Sequence, residues 1–135
     1  RDVKSLNILV TQEWKGLVAD FGLTTIKSSE YLKTYCGSPA WTAPEVLRGY
    51  QYDESADVYS YGIVLWEVLS RKPPYQGMAP NVIIGKVISP GSLRPPIPEG
   101  SPAAYVDLMC RCWDENPRAR PTFIQIVESL KVIFA

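Results

Sequence analysis

One stretch, Ala56 to Ser70, is apolar nearly all round: Val58, Tyr59, Tyr61, Ile63, Val64, Leu65, Trp66, Val68 and Leu69 leave no continuous polar stripe. A helix without a polar face has to be surrounded by other elements. The stretch therefore reads as a central buried helix, N-capped by Ser55 and stopped by Pro73-Pro74. A chain of 135 residues is long enough to wrap a core around it. Its longest apolar run, Ile63 to Leu69 broken by Glu67, is far too short to span a bilayer, so no membrane contact is expected from this segment.

Downstream, Asn81 to Ile88 reads as a weaker helix, and Ser89 to Gly100, with Pro90, Pro95, Pro96 and Pro98, reads as loop. Ser101-Pro102 suits a cap and first turn, behind which Tyr105, Leu108, Met109 and Cys112 form one helical stripe. Thr122 to Gln125 fits a capping box, after which Phe123, Ile126, Val127, Leu130 and Phe134 line one face of a last helix. Upstream, Ala43 to Arg48 suits one helical turn entered through Pro44, and Leu23 to Pro39 is a long loop rich in Thr, Ser, Lys and Tyr. Ile8-Leu9-Val10 and Leu17-Val18-Ala19 flank the polar stretch Thr11 to Gly16 as a β-hairpin. Antiparallel pairing around that loop sets Val10 opposite Leu17 and Asn7 opposite Asp20, with Cβ atoms about 5 Å apart. The expected fold class is mainly α with one small β-hairpin.

Composition narrows the chemistry. There is no histidine, which removes histidine bases, histidine zinc ligands and the usual nucleophile triads. Acid–base work falls to carboxylates or lysine. Lys+Arg and Asp+Glu are both 14, so no bulk basicity points to nucleic acid. Cys36, Cys110 and Cys112 are odd in number and lack metal-ligand spacing, and they read as reduced thiols of an intracellular protein. No secretory leader is visible, and the first residue is Arg. A cytoplasmic location, or the cytoplasmic side of a membrane-anchored parent, is expected.

Arg1-Asp2-Val3-Lys4-Ser5-Leu6-Asn7, Asp20-Phe21-Gly22 and Ala43-Pro44-Glu45 follow one another along the chain. They resemble the catalytic loop, the DFG motif and the APE motif of eukaryotic protein kinases. One tripeptide is a weak signal, whereas three motifs in order, at spacings that suit a hairpin, are a strong one. The resemblance runs over the whole chain. Asp57-Val58-Tyr59-Ser60-Tyr61-Gly62 resembles the start of the family's central helix, and Arg120-Pro121-Thr122-Phe123 the start of its last. Gly37 to Thr42 and Cys112-Trp113 most resemble the tyrosine-kinase-like group, whose members mostly phosphorylate serine or threonine.

The resemblance implies a kinase-like C-terminal lobe that uses ATP and Mg²⁺ on a protein substrate. It gives Asp2 the substrate hydroxyl and its proton, Lys4 the γ-phosphate, and Asn7 with Asp20 the Mg²⁺, a cation that prefers oxygen ligands. Leu9, on the strand face of Asn7, becomes part of the adenine floor. Phe21 packs behind Asp20, and Gly22 supplies a hinge. Glu45 and Arg120 form a buried ion pair, and Asp57 hydrogen-bonds the catalytic-loop backbone. Ser38 contacts Asp2 and Lys4, and Lys4 itself stands where tyrosine kinases usually carry Ala or Arg, so serine/threonine specificity is favoured. Arg1 is placed to pair with a phosphate on the loop that carries Thr24, Thr25, Ser28, Ser29, Tyr31, Thr34 and Tyr35. Against these roles stand blander ones: Asp2 as a solvated loop residue, Lys4 as a surface lysine, Asn7 as a strand-end turn residue and Leu9 as ordinary core.

The pattern also departs from the family. No histidine precedes Arg1, and none of the nine glycines forms G-x-G-x-x-G. The expectation is a partial kinase domain over 1–135, running from catalytic loop to last helix, with the N-terminal lobe as its missing partner. Two classes stay open: a segment of an active kinase, with tyrosine or dual specificity as a variant, and a non-catalytic kinase-derived binding or regulatory module.

Overall fold

The central helix forms as its composition requires. The computed structural model describes residues 2–19 and 38–135. In it, helices α1 (Pro44–Leu47), α2 (Ser55–Ser70), α3 (Pro80–Ile88), α4 (Ala103–Cys112) and α5 (Phe123–Ile133) follow a hairpin of β1 (Ile8–Val10) and β2 (Gly16–Val18). Helix α2 buries Ala56, Val58, Tyr59, Ser60 and the run Gly62 to Trp66, more than one face of its first three turns. In its last turn Val68 is exposed while Leu69 still packs against the core. The helix ends where Arg71 turns left-handed at φ 56° and its N–H closes on Glu67 O at 2.8 Å.

Two capping expectations are corrected. Ser55 lies inside α2, where Glu54 holds the N-cap position without a side-chain cap bond, and the Ser55 N–H itself donates to Asp53 Oδ1 at 2.9 Å. Ser101 does not cap α4 either. Its hydroxyl donates back to Pro98 O, and Pro102 occupies the N-cap position. The capping box at Thr122 is present with both bonds, Gln125 N–H to Thr122 Oγ1 and Thr122 N–H to Gln125 Oε1.

The α4 stripe Tyr105, Leu108, Met109 and Cys112 is buried against α2, and the Tyr105 hydroxyl donates to Leu65 O at 2.9 Å. Burial pushes the Cys112 thiol up to about 12, while Cys110 on the next face is only half-buried. The α5 stripe is corrected in part: Ile126 is buried, but Val127 and Phe134 are largely exposed. Half-buried Leu130 and Ile133 pack on the core beside Ile126, Phe123 meets Tyr61 edge-on at 5.7 Å, and Phe134, just past the helix, meets Tyr105 at 6.3 Å. A smaller apolar cluster of Ala40, Tyr75, Ile83 and Val87 fixes the Pro39–Trp41 turn against α3.

The hairpin pairs in a different register from the one expected. Ile8 faces Val18, Leu9 faces Leu17 and Val10 faces Gly16. The ladder continues to Asn7, whose carbonyl accepts the Ala19 N–H at 2.7 Å, so Ala19 stands across from Asn7. The cause is the turn. Thr11 N–H bonds Lys15 O at 2.9 Å, leaving a loop of Gln12-Glu13-Trp14 in which Trp14 takes a left-handed φ of 61°. The Thr11 hydroxyl accepts from the Glu13 and Lys15 N–H groups and holds that shape. A loop with an odd number of residues shifts the pairing by one relative to an even one, and one step moves a strand's side chains to the other face.

Candidate active site

The first loop folds back on itself. Ser5–Asn7 make a single 3₁₀ turn, and the Asn7 N–H donates to Lys4 O at 2.9 Å. This turn brings three polar side chains of the loop together. The buried Asn7 donates from Nδ2 to Asp2 O at 2.9 Å and to Asp2 Oδ2 at 3.1 Å. Lys4 Nζ lies 3.3 Å from the same Oδ2, and it donates to Ser38 Oγ at 2.7 Å across a gap of 34 positions in sequence. The Asp2 and Lys4 side chains are 12% and 17% exposed, so water screens this pair less than a surface one. Ser38 reaches Asp2 through Lys4. Both side-chain partners of Asp2 sit on Oδ2, which leaves Oδ1 without a donor among the described residues. The Asn7 amide likewise has its NH₂ committed to Asp2 and its oxygen unengaged among the described residues.

Ser38 is held from behind. The Thr42 hydroxyl donates to Ser38 O at 2.9 Å, and the Ser60 hydroxyl on α2 donates to Trp41 O at 2.6 Å. Below this segment, Arg120 Nη1 and Nη2 close on Glu45 Oε1 and Oε2 at 2.7 and 2.9 Å, with the side chains 0% and 8% exposed. Arg120 also donates to Asp114 O and Ser55 O, which ties α1, α2 and the approach to α5 to one guanidinium. Asp57 is half-buried in the first turn of α2. Leu9 lies mid-strand and is more than half exposed, and Asn7 is buried in the turn before β1. Arg1, Asp20, Phe21, Gly22, Cys36 and the hydroxyls from Thr24 to Tyr35 lie outside the described residues.

Sequence reasoning passed over Glu67. Its Oε1 accepts the Ser5 hydroxyl and its Oε2 the Trp41 indole N–H, each at 2.8 Å. The signal was the lone charge in the run from Val58 to Leu69. A second cluster lies farther out: Glu115 meets Arg48 at 2.6 Å, Arg94 at 3.2 Å and the Ser92 hydroxyl at 2.6 Å. Burial works to raise the Glu115 carboxyl, but the Ser92 bond and the two guanidiniums outweigh it and leave the group below the usual carboxylate range.

A paired aspartate and lysine, an amide oxygen beside them and a serine closing the far side make a site suited to a hydroxyl and a phosphate. The chain belongs to the protein tyrosine and serine/threonine kinase family, whose sequence model matches residues 1–130. It is 50% identical over 133 residues to the probable serine/threonine-protein kinase drkA of Dictyostelium discoideum, covering 98% of this chain and 21% of that protein. Its identity to drkB of the same organism is also 50% over 133 residues, covering 98% of this chain and 19% of that one. The probable serine/threonine-protein kinase SIS8 of Arabidopsis thaliana is 43% identical over 133 residues, covering 97% and 13%. The chain thus spans about a fifth or less of the length of these relatives.

Proposed function

We propose that residues 1–135 are the C-terminal part of an ATP-dependent protein kinase domain that phosphorylates serine and threonine hydroxyls of proteins. The observation that carries this reading is the Asp2–Lys4–Asn7–Ser38 cluster, in which every group has a use in phosphoryl transfer. Such transfer asks a protein mainly to position groups and to neutralise charge.

Asp2 Oδ1 accepts the substrate hydroxyl and takes its proton as the oxygen attacks. Asn7 and Lys4, both on Oδ2, hold the carboxylate in that orientation. Lys4 meets the γ-phosphate as a compact positive charge while it stays bonded to Ser38. The donor set fits Mg²⁺: the Asn7 amide oxygen is a hard ligand left unengaged by the bonds its NH₂ makes, and Asp20 joins it in this reading. When bound, the ion would neutralise charge on the transferred phosphoryl. Leu9 floors the adenine, and an N-terminal lobe supplied by the rest of the parent covers the nucleotide. Phe21 and Gly22 set the aim of Asp20, Asp57 braces the catalytic loop, and Arg1 pairs with a phosphate on the loop that carries Thr24 to Tyr35. The site works in the cytoplasm or on the cytoplasmic side of a membrane.

The relatives' names favour serine/threonine over tyrosine. The test uses the parent protein with ATP, Mg²⁺ and a mixed protein substrate. Asp2→Asn should lower turnover by roughly 10²–10⁴-fold with the fold intact, the range expected when a positioned base is lost. Phosphoamino-acid analysis of the product should yield phosphoserine and phosphothreonine. Equal rates in wild type and Asp2→Asn would reject the role of Asp2. A product of phosphotyrosine alone would reject the specificity.

A further inference from the structure

A cavity of about 460 Å³ opens between the end of α2, the loop that leads to α3 and the proline-rich segment before α4. Pockets for small organic molecules run from about 300 to 1,000 Å³. None of the residues lining this one belongs to the Asp2–Lys4–Asn7–Ser38 cluster. Its walls are pinned. Arg71 and Tyr75 take left-handed φ values of 56° and 53°, which bend the loop at both ends of Lys72-Pro73-Pro74. The buried Tyr75 then donates its hydroxyl to Leu93 O at 3.2 Å, and the Trp66 indole N–H donates to Pro96 O at 2.8 Å. Leu93 to Pro98, the segment that these bonds hold, carries three prolines with fixed φ. The cavity is therefore shaped before any ligand arrives.

The same bonds decide what the walls can recognise. Trp66 and Tyr75 already donate to carbonyls, so they present ring faces, and a sugar or a nucleotide base would lose water there without donors to replace it. Nor is there a backbone edge for an extended peptide: Pro73, Pro96 and Pro98 have no N–H, and Leu93 O and Pro96 O are taken. The charged lining residues are Lys72 and Arg94, with no carboxylate among the described residues that line the cavity. Arg94 is engaged elsewhere, by Trp113 O, Leu93 O, Ser92 Oγ and Glu115. Lys72 is exposed, and its ammonium has no partner among the described residues. The geometry points to a binding site for a small amphipathic monocarboxylate, its apolar ring or short chain against Trp66, Tyr75 and the prolines and its carboxylate on Lys72 Nζ. A cation would meet Lys72 with nothing to neutralise it, and a neutral molecule would forgo a charge-assisted bond. This site is independent of the kinase reading above.

The test follows naphthoate binding to the parent protein by ligand-observed NMR, with Mg²⁺ and a non-hydrolysable ATP analogue present to fill any nucleotide site. Naphthoate should bind with a Kd of roughly 10 μM to 1 mM, the range open to a ligand of so few atoms. Naphthalenemethanol, the same body without the charge, should bind about three-fold to ten-fold more weakly. Lys72→Ala should weaken naphthoate by that factor and leave the alcohol unchanged. Gln76→Lys, which adds a second cation to the lining, should tighten naphthoate and not the alcohol. Ile97→Asp should weaken both, and naphthoate the more. Lys72, Gln76 and Ile97 are all exposed, so the thermal midpoints should stay close to wild type. No binding of naphthoate at millimolar concentration would overturn the inference. So would binding that all three variants leave unchanged, or tighter binding of the alcohol than of the acid. If naphthoate fails and a peptide with an acidic residue beside an aromatic one binds in a Lys72-dependent way, the occupant is a protein segment and the small-molecule assignment falls.

Discussion

Arg120 has a fully buried side chain and satisfies it with four bonds: two to Glu45 and one each to Asp114 O and Ser55 O. Removing one partner of such a pair strands a charge where water cannot reach it. Arg120→Ala should therefore lower unfolding free energy by about 3–5 kcal/mol, measured by urea titration of the isolated chain. Arg120→Lys should recover only part, since an ammonium cannot make the bidentate fork. Replacing both partners, Glu45→Leu with Arg120→Met, should cost less than either single change because no charge is left alone. If the double variant is as damaged as the singles added together, the burial argument is wrong. Glu45 and Arg120 were legible in the sequence because each stands in a recognisable motif. Glu67 was not, because its partners Ser5 and Trp41 lie far from it in sequence and only the fold brings them together.

Between elements, α2 comes close to the end of α4 at Gly62. A Cβ there would meet Cys112 Cβ at 3.0 Å, Trp113 N at 3.2 Å and Trp113 Cβ at 3.3 Å. These are core atoms with nowhere to move, so Gly62→Ala should destabilise by roughly 1–3 kcal/mol, in spite of alanine's better helix propensity. Gly85 on α3 is the opposite case, with no atom within 4 Å of its added Cβ. Gly85→Ala should stabilise by about 0.5–1 kcal/mol through propensity alone. Thermal unfolding of the two variants checks both signs at once. The helices themselves could be read from the sequence, since Tyr105, Leu108, Met109 and Cys112 repeat at the helical period and Thr122 with Gln125 mark a start. The hairpin register could not. It turns on a left-handed Trp14 closing a short loop, a conformation that no pattern of apolar residues announces. Ser101 and Ser55 misled for a related reason: a serine near a helix start has several carbonyl and amide partners in reach, and the fold selects among them.

For the molecule as a whole, the two ends of the site are unequally covered. Below, Asp2, Lys4, Asn7 and Ser38 rest on α2 and α3 through bonded, buried residues. Above, Leu6, Leu9, Val10, Trp14, Leu17 and Val18 are each more than half exposed, on a two-stranded sheet with nothing packed on it among the described residues. A two-stranded hairpin of this kind is marginal by itself, and adjoining apolar side chains in water mark a surface that takes a partner. The isolated 135-residue chain should therefore bind an apolar fluorescent dye near pH 7, and Val10→Lys with Leu17→Lys should reduce that binding while leaving the thermal midpoint nearly unchanged. The same asymmetry bears on chemistry. The sequence holds the proton acceptor and the phosphate lysine of the proposed reaction but no glycine-rich loop to grip the nucleotide from above. Positioning contributes several kcal/mol of a phosphoryl-transfer barrier, and a nucleotide held from one side only forfeits much of it. The isolated chain, incubated with radiolabelled ATP, Mg²⁺ and a protein substrate, should therefore label no faster than its own Asp2→Asn variant. Labelling well above that control would mean that the lower half of the site can hold and orient the nucleotide unaided, and the division of labour argued from the exposed hairpin would have to be abandoned.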